Sequence, residues 1–72
     1  MKKIKKIKIK INGKVKSILD NCSILDLVNN LKIPMKKVAI ELNQEIIDKK
    51  NINKISLKTN DRIEIVHFIG GG

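Results

Sequence analysis

At 72 residues the chain can build one domain around a small core, near the lower size for folding without staples. Its single cysteine, Cys22, excludes an internal disulfide framework and suits a reducing compartment, and no apolar run is long enough to span a bilayer. The net charge of +9 is concentrated, since residues 1–16 hold eight lysines and no acid while the rest is nearly balanced. Such a block can steer a protein toward nucleic acid or an acidic partner. Against nucleic acid, all the basic residues but Arg62 are lysines, so only one can make a bidentate fork, and Phe68 is the only aromatic available for stacking. These features favour a solvated charged face over a nucleic-acid site. The N-terminus alternates Ile and Lys and is not a signal peptide. The expectation is a cytoplasmic single-domain protein with no membrane association.

Ile7-Lys8-Ile9-Lys10-Ile11 alternates with period two, the pattern of a half-buried strand with isoleucines inward. Asn12-Gly13 is a strong hairpin signal, because a type I′ turn needs positive φ at both central residues. The second strand runs from Lys14 to about Leu19. A two-residue turn would put Ile18 on the core face and Val15 away from it, and a bulge at Gly13 would reverse this. Asp20-Asn21 breaks the strand. Ser23 can cap a helix, and Asp26 lies where the acid of a capping box sits. Ile24, Leu27, Val28 and Leu31 form the stripe that would lie on the sheet, and Pro34 is expected to end the helix. Two turns of helix persist only with support from the sheet.

Val38 to Leu42 reads as a strand with Val38, Ile40 and Leu42 inward and Ala39 and Glu41 outward. Asn43-Gln44 turns the chain into a short strand at Glu45–Ile47. Residues 48–56 are polar and irregular, with Ile52, Ile55 and Leu57 as anchors. Thr59-Asn60-Asp61 is a turn in which Asn60 can accept a left-handed backbone. Arg62 to Phe68 is the last strand, with Ile63 and Ile65 inward and Glu64, Val66 and Phe68 on the other face.

This ββαβ(β)β order predicts an α+β fold: a mixed sheet of four to five strands with one helix packed across one face. Parallel pairing of the first and last strands lets a single layer cover both isoleucine rows, which is the β-grasp, or ubiquitin-like, architecture. It should also set Lys8 and Lys10 near Glu64 as a cross-strand attraction. Val66 and Phe68 stay on the uncovered face beside Ala39, with Ile69 at the tail root. This apolar cluster next to the tail forms a candidate docking surface. The whole chain, 1–72, is read as one β-grasp domain, with 69–72 a flexible C-terminal glycine tail. Gly70-Gly71-Gly72 has no side chains to pack, so it can thread a narrow slot and bring an unhindered carboxylate to another protein's active site.

Three stretches carry a family resemblance: Val38-Ala39-Ile40-Glu41-Leu42-Asn43, Asp61-Arg62-Ile63-Glu64-Ile65-Val66 and Phe68-Ile69-Gly70-Gly71-Gly72. Together with the Asn12-Gly13 turn and the helix start at Ser23, they closely resemble the ThiS family, the sulfur carriers of thiamin (thiazole) biosynthesis. The likeness covers essentially the whole chain. Asn60 replaces the usual turn glycine, Leu19 stands where a proline is common, and the basic N-terminal extension is longer than usual.

The resemblance implies a carrier and not an enzyme. An ATP-using adenylyltransferase of the ubiquitin-activating type (ThiF-like) would convert the Gly72 carboxylate to an acyl-adenylate. A persulfide, ultimately from a cysteine desulfurase, would displace AMP and leave a thiocarboxylate. Thiazole synthase (ThiG-like) would take the sulfur. Gly70 and Gly71 would thread the partner's active site, and Val66, Phe68, Ile69 and Ala39 would dock. No tightly bound cofactor, metal site or catalytic residue is expected.

The remaining reactive side chains have plainer readings. Cys22 is a small packing residue, His67 a strand-end or interface residue, and Glu41, Glu45 and Glu64 are too scattered for paired-carboxylate chemistry. A carrier for molybdopterin synthesis would share fold and tail, but that family usually has prolines where Phe68-Ile69 stand. A basic β-grasp module binding RNA or protein would not need a terminal Gly-Gly.

Overall fold

Asn12 and Gly13 both sit at positive φ, 49° and 83°, and this decides the first hairpin. Gly13 has open space where a Cβ would stand, so its backbone angle and not crowding calls for glycine. The turn joins β1 (Lys6–Ile11) to β2 (Lys14–Leu19) with Ile11 opposite Lys14, the two-residue register without a bulge. Ile18 is therefore buried and Val15 is exposed on the opposite face. The computed structural model describes residues 5–68.

The five strands lie in the order β2-β1-β5-β3-β4, with β3 at Val38–Leu42, β4 at Glu45–Ile46 and β5 at Arg62–His67. β1 and β5 are parallel and the other neighbours antiparallel. One helix, α1 (Ile24–Asn30), buries Ile24, Leu27 and Val28 against the sheet, with Leu31 packed at the margin. Facing them are Ile9, Ile18, Val38, Ile40, Ile63 and Ile65, all buried. The predicted α+β architecture, one helix over a mixed sheet of four to five strands, is the observed one, with five strands.

All four N–H groups that a helix start leaves without intrahelical partners are satisfied. Ser23 Oγ accepts from Asp26 N–H at 3.0 Å while Asp26 Oδ2 accepts from Ser23 N–H at 3.1 Å, so the capping box is formed. Leu27 N–H donates to Ser23 O, and the N–H groups of Ile24 and Leu25 donate to the carbonyls of Ile55 and Ile52. The irregular stretch from Asp48 to Leu57 thus does a structural task. Ile52 and Leu57 anchor it in the core, and its carbonyls cap the helix.

Four expectations need correction. Pro34 does not end the helix. Lys32, at φ 56°, closes it two residues earlier: its N–H donates to Asn29 O, and Ile33 N–H donates to Val28 O at 3.0 Å. That is a Schellman motif with lysine in the place glycine usually takes. The short strand stops at Ile46 and not Ile47, because Ile47 turns half-buried toward the core and Asp48 opens the next turn. The last strand ends at His67, although Phe68 N–H still bonds Lys37 O at 2.9 Å.

Finally, Lys8 and Lys10 form no ion pair with Glu64. Lys10 is level with Arg62, so Glu64 falls beyond the end of β1 and faces Glu41 across the β3–β5 pair. The single ion pair among the described residues joins Lys50 to Asp48, at 3.9 Å on the surface.

Candidate functional site

Strand alternation on β5 divides its side chains cleanly. Ile63 and Ile65 point to the helix and are 1% and 6% exposed, while Arg62, Glu64 and Val66 face solvent on the uncovered side of the sheet. Val66 lies directly opposite Ala39 on β3, so these two share the patch the sequence predicts. Phe68 follows at the end of β5, 58% exposed, with Lys49 Nζ 5.8 Å from its ring centroid. Of the four predicted docking residues, Ala39 and Val66 are opposed across the β3–β5 pair, and Phe68 follows just past the end of β5. Ile69 and the tail residues Gly70, Gly71 and Gly72 lie outside the described residues.

Ile46 was missed by the sequence reading. It pairs with Glu41, is 77% exposed, and brings a further apolar side chain to the same face. Among the described residues, the exposed hydrophobics Val15, Leu19, Ile46 and Val66 all lie on this open face, and exposed Phe68 follows directly after β5. The helix covers the other face, and nothing covers this one among the described residues.

Two turn asparagines hold β5 in place. Asn43 Oδ1 accepts from Arg62 N–H at 3.0 Å and its Nδ2 donates to Asp61 Oδ1 at 3.1 Å. Asn12 Oδ1 accepts from Ile65 N–H at 2.8 Å. Asp61 Oδ2 also accepts from Lys58 N–H, closing the turn in which Asn60 takes φ 72°, as expected for its left-handed position.

The remaining side chains of the sequence analysis are dispersed. Cys22 is buried ahead of α1, where burial and the neighbouring Asp26 carboxylate push its thiol pKa up from 9.0, the opposite of an activated nucleophile. His67 ends β5 opposite Val38 and is exposed. Lys5, Lys6, Lys8, Lys10, Lys14 and Lys16 are all exposed, so the described part of the basic block is a solvated surface. No cluster of three or more His, Cys, Asp or Glu that could hold a metal occurs among the described residues. No helix among them is long and apolar enough to cross a membrane. What the arrangement offers is a strand whose exposed face carries Arg62 and Glu64 and then Val66, with Phe68 after it, ahead of the glycine ending in the sequence.

The ThiS family profile matches residues 9–72. The sulfur carrier protein ThiS of Bacillus subtilis (strain 168) is 43% identical over 65 residues, covering 89% of this chain and 98% of that protein. A thiazole synthase of Paramagnetospirillum magneticum is 35% identical over 66 residues; the match takes in 92% of this chain but 20% of that much longer protein. Among solved structures, the thiamine biosynthesis protein ThiS of Geobacter metallireducens superposes with a TM-score of 0.80 at 26% identity, covering 92% of this chain and all of that one. Its fold is the β-grasp described above. With the profile running through residue 72 and a relative matched over nearly its whole length, this chain belongs to the ThiS family.

Proposed function

We propose that the protein is the sulfur carrier for the thiazole ring of thiamin and that the Gly72 carboxylate is its working group. The observation that carries this reading is the family match, which extends through the glycine ending, together with 43% identity to a sulfur carrier over almost its entire length. The protein acts as a cosubstrate and not as an enzyme.

A carboxylate resists nucleophiles because its negative charge repels them and it has no good leaving group. Transfer of AMP from ATP by a ThiF-like adenylyltransferase removes both obstacles and releases pyrophosphate. The terminal sulfur of a persulfide, generated by a cysteine desulfurase, then attacks the acyl carbon and AMP departs with the bonding pair. A second thiolate, the two-electron reductant, then attacks the partner's sulfur of the resulting S–S bond, forming a disulfide with it and leaving the thiocarboxylate on Gly72. ATP is consumed at the partner's site and is not a resident cofactor of the carrier.

Gly70 and Gly71 present no side chains to a narrow partner channel, so residues 69–72 serve as the delivery tail. Docking through Ala39, Val66, Phe68 and Ile69 confines the reactive sulfur to productive encounters. The similarity to part of a thiazole synthase supports a ThiG-like protein as the acceptor. The lone, buried and unpaired Cys22 is compatible with a reducing compartment, and we place the carrier in the cytoplasm.

The test is incubation with ATP, the activating enzyme and a sulfur source, read by intact mass. The expected product is heavier by one sulfur in place of one oxygen at Gly72. A variant lacking Gly71 and Gly72 should keep the wild-type far-UV spectrum and melting curve yet accept no sulfur. An unchanged wild-type C-terminus with authentic partners would overturn the assignment.

A further inference from the structure

β1 ends before β5 does. The two pair in parallel at Lys10–Arg62 and Ile11–Ile63, after which β1 turns at Asn12 while β5 continues to His67. In a parallel ladder that continued, Ile65 N–H would donate to the backbone carbonyl of residue 12, and Ile65 O would accept from the N–H of residue 14. The chain has turned away at that level. The side chain of Asn12 replaces both missing groups: Oδ1 accepts from Ile65 N–H at 2.8 Å, and Nδ2 donates to Ile65 O at 3.4 Å. Asn12's own N–H donates to Ile63 O at 2.9 Å, completing the last ordinary rung. One side-chain amide thus imitates the next peptide unit of a strand that is no longer there.

The geometry points to Asn12 as a positioning residue for the strand that carries the tail. This inference rests on the carrier reading and adds to it a residue outside the docking surface. On the β3 side the ladder runs on to Phe68 N–H, which bonds Lys37 O. On the β1 side the Asn12–Ile65 clamp is the last tie found among the described residues. Beyond it come Val66 and Phe68, the side chains that must meet the activating enzyme. A strand held from one side only behaves as a fraying edge, and its aligned conformation becomes a fraction of the population. The apparent affinity then falls by that fraction, while turnover of the docked complex is unchanged.

The residue type follows from two demands. The turn requires φ of 49°, which Asn tolerates better than most residues, and the clamp requires a donor and an acceptor on a short planar group. Glycine meets the first demand only. Aspartate keeps the acceptor but sets a second oxygen against Ile65 O. Asn43 supplies a control within the same molecule. It has φ of 51°, the same turn position and a similar clamp, but on Arg62, at the end of β5 away from the tail.

The experiment measures ATP–pyrophosphate exchange by the activating enzyme as a function of carrier concentration, using wild type, Asn12→Gly, Asn12→Asp and Asn43→Gly, at a temperature where circular dichroism shows all four folded. Amide exchange at Val66–Phe68 is followed in parallel. Asn12→Gly should raise KM about tenfold, keep kcat within about twofold, and speed exchange at those amides. Asn12→Asp should fall between it and wild type. Asn43→Gly should lose comparable melting temperature but keep KM within about twofold of wild type. Equal KM increases in Asn12→Gly and Asn43→Gly would show a purely structural clamp and overturn the inference, as would an unchanged KM in Asn12→Gly. A wild-type chain that is not adenylated at all would refute the carrier reading, and the inference with it, by a separate route.

Discussion

Truncating Phe68 to alanine tests the docking surface most directly, because its effects on binding and on folding are separable. Phe68 is 58% exposed in the free protein. Of the roughly 200 Å² a phenylalanine can bury, about 115 Å² thus remains for a partner to cover. Losing all but the β-carbon forfeits roughly 80 Å² of this, about 2 kcal/mol at ~25 cal/mol/Å², or about thirtyfold in affinity. The cost to the free fold is small. The bond from Phe68 N–H to Lys37 O belongs to the backbone and survives, and the contact with Lys49 contributes about 0.5–1 kcal/mol at an exposed position. Phe68→Ala should therefore raise the carrier KM in ATP–pyrophosphate exchange about thirtyfold while the melting temperature drops by a few degrees, about 4–8 °C per kcal/mol for a domain of this size.

Leu19→Ala is the matched control. Leu19 is 54% exposed on the same open face, but it pairs with Lys6 at the start of β1, whereas it is Lys10, further along β1, that is level with Arg62 at the entry of β5, so Leu19 lies far from the exit of β5. It should leave KM unchanged. If Phe68→Ala binds like wild type, or if Leu19→Ala loses as much, the apolar patch at the tail root is not the docking surface.

Other consequences of the structure can be measured separately. Ser23→Ala removes one half of the capping box and should cost about 1 kcal/mol, seen as a lower midpoint in a far-UV thermal melt; an unchanged midpoint would mean the loop carbonyls of Ile52 and Ile55 suffice as caps. Cys22 should react with iodoacetamide at least about tenfold more slowly in the folded protein than in denaturant. Because folding raises its thiol pKa, the stability gained from the protonated thiol is complete below pH 9.0 and declines as pH climbs from there through the folded value. Cys22→Ala should remove that component from the difference between urea midpoints measured on either side of pH 9.0. The exposed row Lys6, Lys8 and Lys10 should behave as solvated charge. Wild type should leave immobilised RNA by about 0.15 M salt, and a triple Lys→Gln variant only slightly earlier; retention at much higher salt that the variant lost would revive a nucleic-acid surface.

Local chemistry made much of the fold legible in the linear chain. Asn12-Gly13 specifies a two-residue turn, Ser23 with Asp26 specifies a helix start, and the period-two isoleucines of β1 and β5 mark their buried faces. Each of these is an interaction among neighbours along the chain, so no tertiary information is needed to read it. The family resemblance was legible for a related reason, because the glycine ending and the strand before it are contiguous segments.

What the sequence left open depends on how elements slide against one another. The alternation of Lys8, Lys10 and Glu64 fixes which face each occupies but not the stagger of β5 along β1. That stagger places Glu64 opposite Glu41 and leaves Ile65 without a backbone partner until Asn12 reaches it. Pro34 is a helix stop on local grounds, but Lys32 closes α1 earlier with the Schellman bonds, and Ile33, which donates one of them, packs against the core. The exposure of Ile46 likewise follows from its register, which sets it opposite Glu41 on the uncovered face of the sheet. Residues adjacent in sequence determined the elements themselves. The relative placement of those elements, decided by burial of one shared core, converted two turn asparagines into clamps on the strand that leads to the tail.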